Sequence, residues 1–100
     1  MSIEITARHL KISKEMQGFA REKAAQLKDD FPKVEHVHVI LDEQRHLFSA
    51  EFVLQTKALG KVEAKEENEK LPAAIEMAFE KVDKQLRKHR QKLVTNHQRG

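Results

Sequence analysis

Histidine offers the widest choice of chemistry in this sequence, because its ring can bind a metal ion or transfer a proton near neutral pH. The chain of 100 residues has six histidines and no cysteine. His36 and His38 alternate along one predicted strand, and His89 and His97 lie in or beyond the last predicted helix. A stable metal site needs three or four ligands with supporting hydrogen bonds. We therefore expect surface histidines and predict no metal ion or other cofactor.

Sequence motifs of the common enzyme classes are missing. No HExxH, Walker or GxSxG pattern occurs, and the chain has only three glycines. The adjacent carboxylates Glu66 and Glu67 fall in a polar segment, without an apolar pocket that could raise a carboxyl pKa. We predict that the chain is not an enzyme and has no small-molecule substrate.

Charged side chains are more informative, since they are sorted by sign on two predicted helices. Apolar residues between 71 and 93 recur every three or four positions, which predicts one buried helical face. One flank of that face has the lysines Lys81, Lys84, Lys88 and Lys92. The other flank has Glu76, Glu80 and Asp83, interrupted by Arg87. The alternative is an ordinary solvated helix, in which pairs such as Glu80 with Lys84 contribute a few tenths of a kcal/mol each.

The first predicted helix has the same sorting. Its basic flank comprises Lys14, Arg21 and Lys28, spaced every seven residues, and its acidic flank comprises Glu15, Glu22 and Asp29. Lys23 lies near the edge of the apolar stripe, away from the basic row. If the two helices are parallel neighbours on a sheet, the basic rows either face one shared groove or both point outward. We favour the shared groove, which would hold a phosphate backbone.

The aromatic residues suggest which nucleic acid such a groove would bind. The chain has five phenylalanines and neither tryptophan nor tyrosine. All five phenylalanines fit predicted core positions, so stacking surfaces for single strands are not expected. Duplex or folded RNA is therefore the expected partner, rather than exposed bases.

The charged rows are positioned by a small α+β fold. Alternating apolar residues predict strands at 2–7, 34–42, 48–55 and from 62 onward, and helical periodicity predicts helices at 14–30 and 71–93. The order β-α-β-β-β-α predicts a two-layer sandwich, a four-stranded sheet with two parallel helices on one face. The first two strands should be parallel and the later three an antiparallel meander. We assign one domain to 1–95 and a short flexible tail to 96–100.

The composition also bounds the compartment and the partners. Charged residues make up 35% of the chain and its formal net charge is +3. Positive charge is concentrated at the end, where 81–100 has seven lysines and arginines against one aspartate. No signal peptide or apolar run of about 20 residues is present. We predict a cytoplasmic protein with no membrane partner.

Two segments resemble a known family. LPAAIEMAFEKVDKQLRKHRQKL resembles the signature helix of the ribosome hibernation promoting factor family, also called ribosome-associated inhibitor or sigma-54 modulation proteins, which runs from D-x-Y-A-A-I-D to K-L-x-R-Q-L-x-K-H-K-x-K. IEITARHLKISKEMQGFAREKAAQL matches the family's I-x-I-T-G start. The departures are Ala7 for glycine, Lys70 for aspartate and Pro72 for tyrosine. The resemblance covers essentially residues 1–93.

The resemblance implies the fold predicted above, similar to a double-stranded RNA-binding domain with an extra strand. It implies binding to the small ribosomal subunit and its 16S rRNA at the decoding region, over the messenger and transfer RNA sites. Ribosomes in 70S and 100S particles would be held idle during stress or stationary phase, with dimers promoted. The chain ends soon after the last helix, so we expect a short form that lacks the second domain of long forms and is monomeric when free.

By position, the resemblance assigns rRNA binding to Lys23 and to the terminal basic motif. That motif comprises Lys81, Lys84, Lys88, His89, Arg90 and Lys92. With the first-helix residues Lys14, Arg21 and Lys28 they form the predicted rRNA-binding set along the inter-helix groove. Two other functions stay open, a free-standing double-stranded RNA-binding module and a protein-interaction domain that uses its sheet or acidic flank.

Overall fold

The computed structural model describes the backbone of residues 2–57 and 59–99 and the side chains of 2–57 and 59–88. The elements are β1 (Ser2–Arg8), α1 (Lys14–Asp30), β2 (Val34–Gln44), β3 (Leu47–Thr56), β4 (Gly60–Asn68) and α2 (Leu71–Arg99). The predicted α+β class and element order are confirmed. α2 continues beyond residue 93, where we expected it to end. The division into a domain at 1–95 and a tail at 96–100 stays a prediction.

The four strands form one sheet in the order β1-β2-β3-β4. β1 pairs with β2 in parallel, while β2–β3 and β3–β4 are antiparallel, as predicted. Side chains alternate across β2, so Val37, Val39 and Leu41 are fully buried on one face. His36 and His38 lie on the opposite face, which neither of the two described helices covers. The sheet therefore has one core face and one solvent face.

Both helices cover the core face of the sheet. α1 contacts β1 and β2, while α2 contacts β3 and β4. The side chain of Ser13 caps α1 by accepting a hydrogen bond from the Met16 amide at 3.1 Å. Fully buried positions recur at helical spacing, with Ala20, Ala24 and Leu27 in α1 and Ile75, Ala78 and Val82 in α2. Burial of each large side chain in this core stabilises the fold by about 1.5–3 kcal/mol.

A two-residue turn joins β2 to β3. Arg45 and His46 have φ angles of 50° and 68°, in the left-handed region that glycine and asparagine usually occupy in such hairpins. Gln44 still pairs with Leu47, and Glu43 with Phe48, so the ladder continues to the turn itself. The strand pairing holds two residues in a conformation that costs each of them about 1–2 kcal/mol.

Candidate nucleic-acid interface

The basic flank of α1 faces away from α2. Lys14 and Arg21 are exposed to solvent. The Lys28 Nζ donates to the Glu35 carbonyl oxygen in β2 at 3.1 Å, so this flank extends toward the sheet rather than toward the second helix. We call Lys14, Arg21 and Lys28 the outer α1 flank.

The basic flank of α2 faces the other edge of the molecule. The Lys81 Nζ lies 3.0 Å from the Glu66 Oε2 in β4, which is an edge strand of the sheet. Lys84 and Lys88 follow Lys81 along the helix and are exposed to solvent. We call Lys81, Lys84 and Lys88 the outer α2 flank.

The cleft between the helices contains a different set of side chains. The Lys23 Nζ lies 5.5 Å from the Phe19 ring centroid, 4.8 Å from that of Phe79 and 3.5 Å from the Glu76 Oε1. Only 19% of the Lys23 side chain is exposed. These contacts with two ring faces and a carboxylate explain why Lys23 lies apart from the basic row of its own helix.

At the far end of the cleft, an ion pair on α2 packs against α1. The Arg87 Nε donates to the Asp83 Oδ2 at 2.8 Å, and its guanidinium carbon lies 5.9 Å from the Phe31 ring centroid. Hydrogen bonding to Asp83 raises the pKa of Arg87 above its ordinary value. The guanidinium is therefore engaged by a carboxylate of its own helix.

The predicted shared basic groove is wrong. Among the described side chains, the cleft holds Lys23 and Arg87 with carboxylate partners, and the two basic flanks point outward in opposite directions. The physical reason is the handedness of the β1–α1–β2 connection. The usual right-handed crossover would turn Lys14, Arg21 and Lys28 toward α2. The contacts of Lys23 show instead that the opposite side of α1 faces α2. For a right-handed α-helix on this face of a sheet with this strand order, that orientation requires a left-handed crossover from β1 to β2.

Three predicted binding residues lie outside the part of the chain whose side chains are described. They are His89, Arg90 and Lys92, which belong to the backbone range of α2. Their predicted role in rRNA binding stays a prediction.

Histidines on the open sheet face form hydrogen bonds across the parallel strands β1 and β2. The His38 Nε2 lies 2.8 Å from the Thr6 Oγ1, and a ring nitrogen of His36 bonds to the Ser2 hydroxyl. Glu4 lies between the two rings, 3.8–4.0 Å from a nitrogen of each. Across residues 2–57 and 59–88, no three histidine or carboxylate side chains are grouped as a metal site requires.

A hydrogen bond between a histidine and an aspartate fixes the connection that precedes α1. The His9 Nδ1 lies 2.8 Å from the Asp42 Oδ1, which joins the end of β1 to the end of β2. This hydrogen bond, aided by the Glu43 amide, lowers the pKa of Asp42 below its ordinary value. The backbone of His9 has a φ of 60°, so the chain turns sharply where the strand ends.

Two phenylalanines depart from the predicted core placement. Phe31, Phe52 and Phe79 are buried, but Phe19 and Phe48 are only partly buried. Their positions in the alternating apolar pattern are regular, so the sequence contains no signal that separates them from the buried three. Aromatic surface is therefore available at two places on the described part of the chain.

The chain is similar to known proteins of one family. Residues 3–94 match the model of the family described as Sigma 54 modulation protein / S30EA ribosomal protein. The ribosome hibernation promoting factor of Pseudomonas putida KT2440 is 32% identical over 92 residues, covering 92% of this chain and 89% of the relative. That of Escherichia coli K12 is 28% identical, covering 93% of this chain and 97% of the relative.

Solved structures share the same fold. A ribosomal subunit interface protein from Coxiella burnetii matches with a TM-score of 0.82 at 15% identity, over 91% of this chain and 99% of that chain. The N-terminal domain of Thermus thermophilus Protein Y matches with a TM-score of 0.77 at 25% identity, over 89% of this chain and 99% of that one. The predicted similarity to double-stranded RNA-binding domains stays a prediction. No helix in the described part of the chain is long and apolar enough to span a membrane.

Proposed function

The chain belongs to the Sigma 54 modulation protein / S30EA ribosomal protein family, and from this premise we propose that it is a ribosome hibernation factor. It binds the small ribosomal subunit at the decoding region and excludes messenger and transfer RNA by its volume, without catalysis. Support comes from relatives named ribosome hibernation promoting factor that match over nearly the whole chain. The bound ribosome is held idle, and ribosome dimers are promoted.

The observation that carries the proposed binding mode is the outward direction of the two basic flanks. Lys14, Arg21, Lys84 and Lys88 are exposed, and none of them forms an ion pair with another side chain in the described part of the chain. Unpaired protein cations replace the counterions that are condensed on RNA phosphates, and the release of those counterions favours the complex entropically. These four side chains are the strongest candidates for contact with 16S rRNA.

Two flanks that point in opposite directions favour contact with two separate rRNA segments. In the cleft between them, Lys23 and Arg87 are already paired with Glu76 and Asp83, so these two cations are not available to phosphate. The domain would therefore insert as a wedge between two rRNA elements, instead of holding one backbone in a groove. Lys28 and Lys81 complete the flanks, and His89, Arg90 and Lys92 extend the proposed contact along α2.

Lys23 has a different role in this proposal. Its ammonium group is already engaged by Phe19, Phe79 and Glu76, and most of its side chain is inaccessible to RNA. We assign Lys23 to the packing of α1 against α2, so it supports ribosome binding by fixing the direction of the two flanks.

Sucrose-gradient sedimentation of the purified chain with isolated 30S subunits, 50S subunits and vacant 70S ribosomes tests this function. We expect co-migration with 30S and 70S particles that is lost at raised salt, together with inhibition of poly(U)-directed translation. A shift of 70S ribosomes toward faster sedimentation would report dimers. Co-migration with 50S alone, or binding only to naked duplex RNA, would contradict the proposal and favour a free-standing RNA-binding module.

A further inference from the structure

A cavity of about 360 Å³ opens at the end of the sheet where both helices begin. Its walls include Leu10, Ile12, Met16 and Phe48, all partly buried and packed against the core. Lys11 and Glu43 add one charge of each sign to the lining. The volume is within the range of about 300–1,000 Å³ that is typical of small-ligand pockets. The lining is therefore mixed, with apolar and partly aromatic walls beside three polar side chains; Lys11 and Glu43 could orient a ligand, while the Ser13 hydroxyl caps α1.

Phe48 gives this cavity its aromatic surface. Its backbone pairs with Glu43 across the β2–β3 hairpin and with Asn68 across β3–β4, so the ring is attached to the ordered end of the sheet. The hairpin therefore holds Phe48 and Glu43 side by side. A fixed aromatic ring beside an apolar wall can stack against the face of any nucleobase, and such stacking is worth about 1–3 kcal/mol per base.

The surroundings of the cavity favour a polyanion. The three chain segments that meet at this end, 8–14, 42–46 and 68–71, have five lysines and arginines against three carboxylates. Lys14, the first residue of the outer α1 flank, directly follows the Ser13 that lines the cavity. A phosphate backbone that followed this flank would therefore pass the mouth of the cavity.

We propose that this cavity accepts one unstacked base from the RNA strand that lies along the outer α1 flank. The base stacks on Phe48, Lys11 faces the adjoining phosphate, and the Glu43 carboxylate accepts a hydrogen bond from an exocyclic amine, as carboxylates do with cytosine N4. The proposal rests on the proposed function, because the RNA strand is ribosomal. It replaces our expectation from the sequence that only duplex or folded RNA would be recognised.

A short single-stranded RNA with 2-aminopurine at one position, compared with an RNA that is abasic at that position, tests the proposal. We expect the intact RNA to bind at least about fivefold more tightly than the abasic one, which corresponds to the lower limit for base stacking. The 2-aminopurine fluorescence should fall on binding. Uracil at the same position, which has no exocyclic amine, should bind more weakly than adenine or cytosine.

Phe48→Leu removes the ring but keeps an apolar side chain, and Phe19→Leu is its matched control at the other partly buried phenylalanine. Phe48→Leu should abolish the difference in affinity between intact and abasic RNA, while Phe19→Leu should keep it. Circular dichroism checks that both variants are folded.

Equal binding of intact and abasic RNA by the unmodified chain would overturn the proposal. So would quenching of the bound 2-aminopurine that survives Phe48→Leu, or an affinity for free adenosine monophosphate equal to that for the RNA. Co-migration with 30S subunits would be retained in those cases, so the proposed function would stand separately.

Discussion

Replacing Lys84 and Lys88 with glutamine removes two exposed positive charges from the outer α2 flank without changing the core. Neither side chain forms an ion pair with a described residue, and both are exposed. Glutamine has a helix propensity close to that of lysine, so the helix should be retained. The double variant therefore changes ribosome binding through charge.

The structure sets the size of the effect. Four unpaired cations on the two flanks should contribute about −3 to the slope of log K against log salt, since each neutralised phosphate contributes about −0.7 to −0.9. Doubling the salt concentration then lowers the association constant about eightfold through these four residues, and about threefold when two of them are removed. We expect Lys84→Gln with Lys88→Gln to flatten the slope by about 1.5 and to weaken binding at low salt.

Pelleting of 30S subunits with the protein at a series of potassium concentrations gives these slopes. The matched control is Lys61→Gln with Lys65→Gln, which removes the same charge from exposed positions on β4. The control should keep the slope of the unmodified chain. Equal flattening by both pairs would refute the assignment, because only net charge would then matter.

Three further predictions concern stability. Lys23→Ala should lower the free energy of unfolding in urea by about 1 kcal/mol, since it removes contacts of about 0.5–1 kcal/mol with the ring faces. Lys23→Met keeps the side-chain stem, so it should lower the free energy of unfolding by less and keep 30S binding. Loss of 30S binding by a folded Lys23→Met would contradict the packing role of Lys23. His46→Gly should raise the free energy of unfolding by up to about 1 kcal/mol because it relieves a left-handed residue, and an unchanged thermal midpoint would show that the turn is unstrained. Because the folded pKa of Asp42 is below its ordinary value of 3.8, its stabilising contribution is present above that pH and is lost as the pH falls through the folded pKa. The stability advantage of the unmodified chain over Asp42→Asn should therefore shrink between about pH 5 and pH 2, and a pH-independent difference would exclude the His9 hydrogen bond as its source.

Much of the fold was predictable from local patterns in the sequence. Alternation of Val37, Val39 and Leu41 with polar neighbours specifies a strand with one buried face, and the spacing of Ile75, Ala78 and Val82 specifies a helix with one buried stripe. These patterns depend only on backbone periodicity, so they hold without knowledge of tertiary contacts. The end of α2 was less predictable, since apolar periodicity fades before the helix ends at Arg99.

The direction of the basic flanks was not predictable from the helices alone. Each helical wheel shows which residues flank the apolar stripe, but the neighbour of each flank depends on the side on which the chain crosses from β1 to β2. The common right-handed rule would have placed Lys14 and Lys81 in one cleft. The observed contacts of Lys23 with Phe79 and Glu76 require the opposite hand.

The partial exposure of Phe48 was also beyond the sequence. Phe48 and Phe52 both point toward the core side of β3. Phe48 alone of the two stays accessible, because it lies near the strand end, beside the loop of residues 10–12. A cavity formed by three separate segments has no signature in any of them.

Directed hydroxyl-radical cleavage of 16S rRNA in the 30S complex tests the proposed wedge most directly. The chain has no cysteine, so an iron chelate can be attached to one introduced thiol at a time. Gln17→Cys and Met77→Cys place it on the outer sides of α1 and α2, and Glu22→Cys and Glu80→Cys place it on their acidic sides, all at exposed positions. We predict the strongest cleavage from positions 17 and 77, in two different rRNA segments. Strongest cleavage from 22 and 80, or one shared segment for 17 and 77, would contradict it.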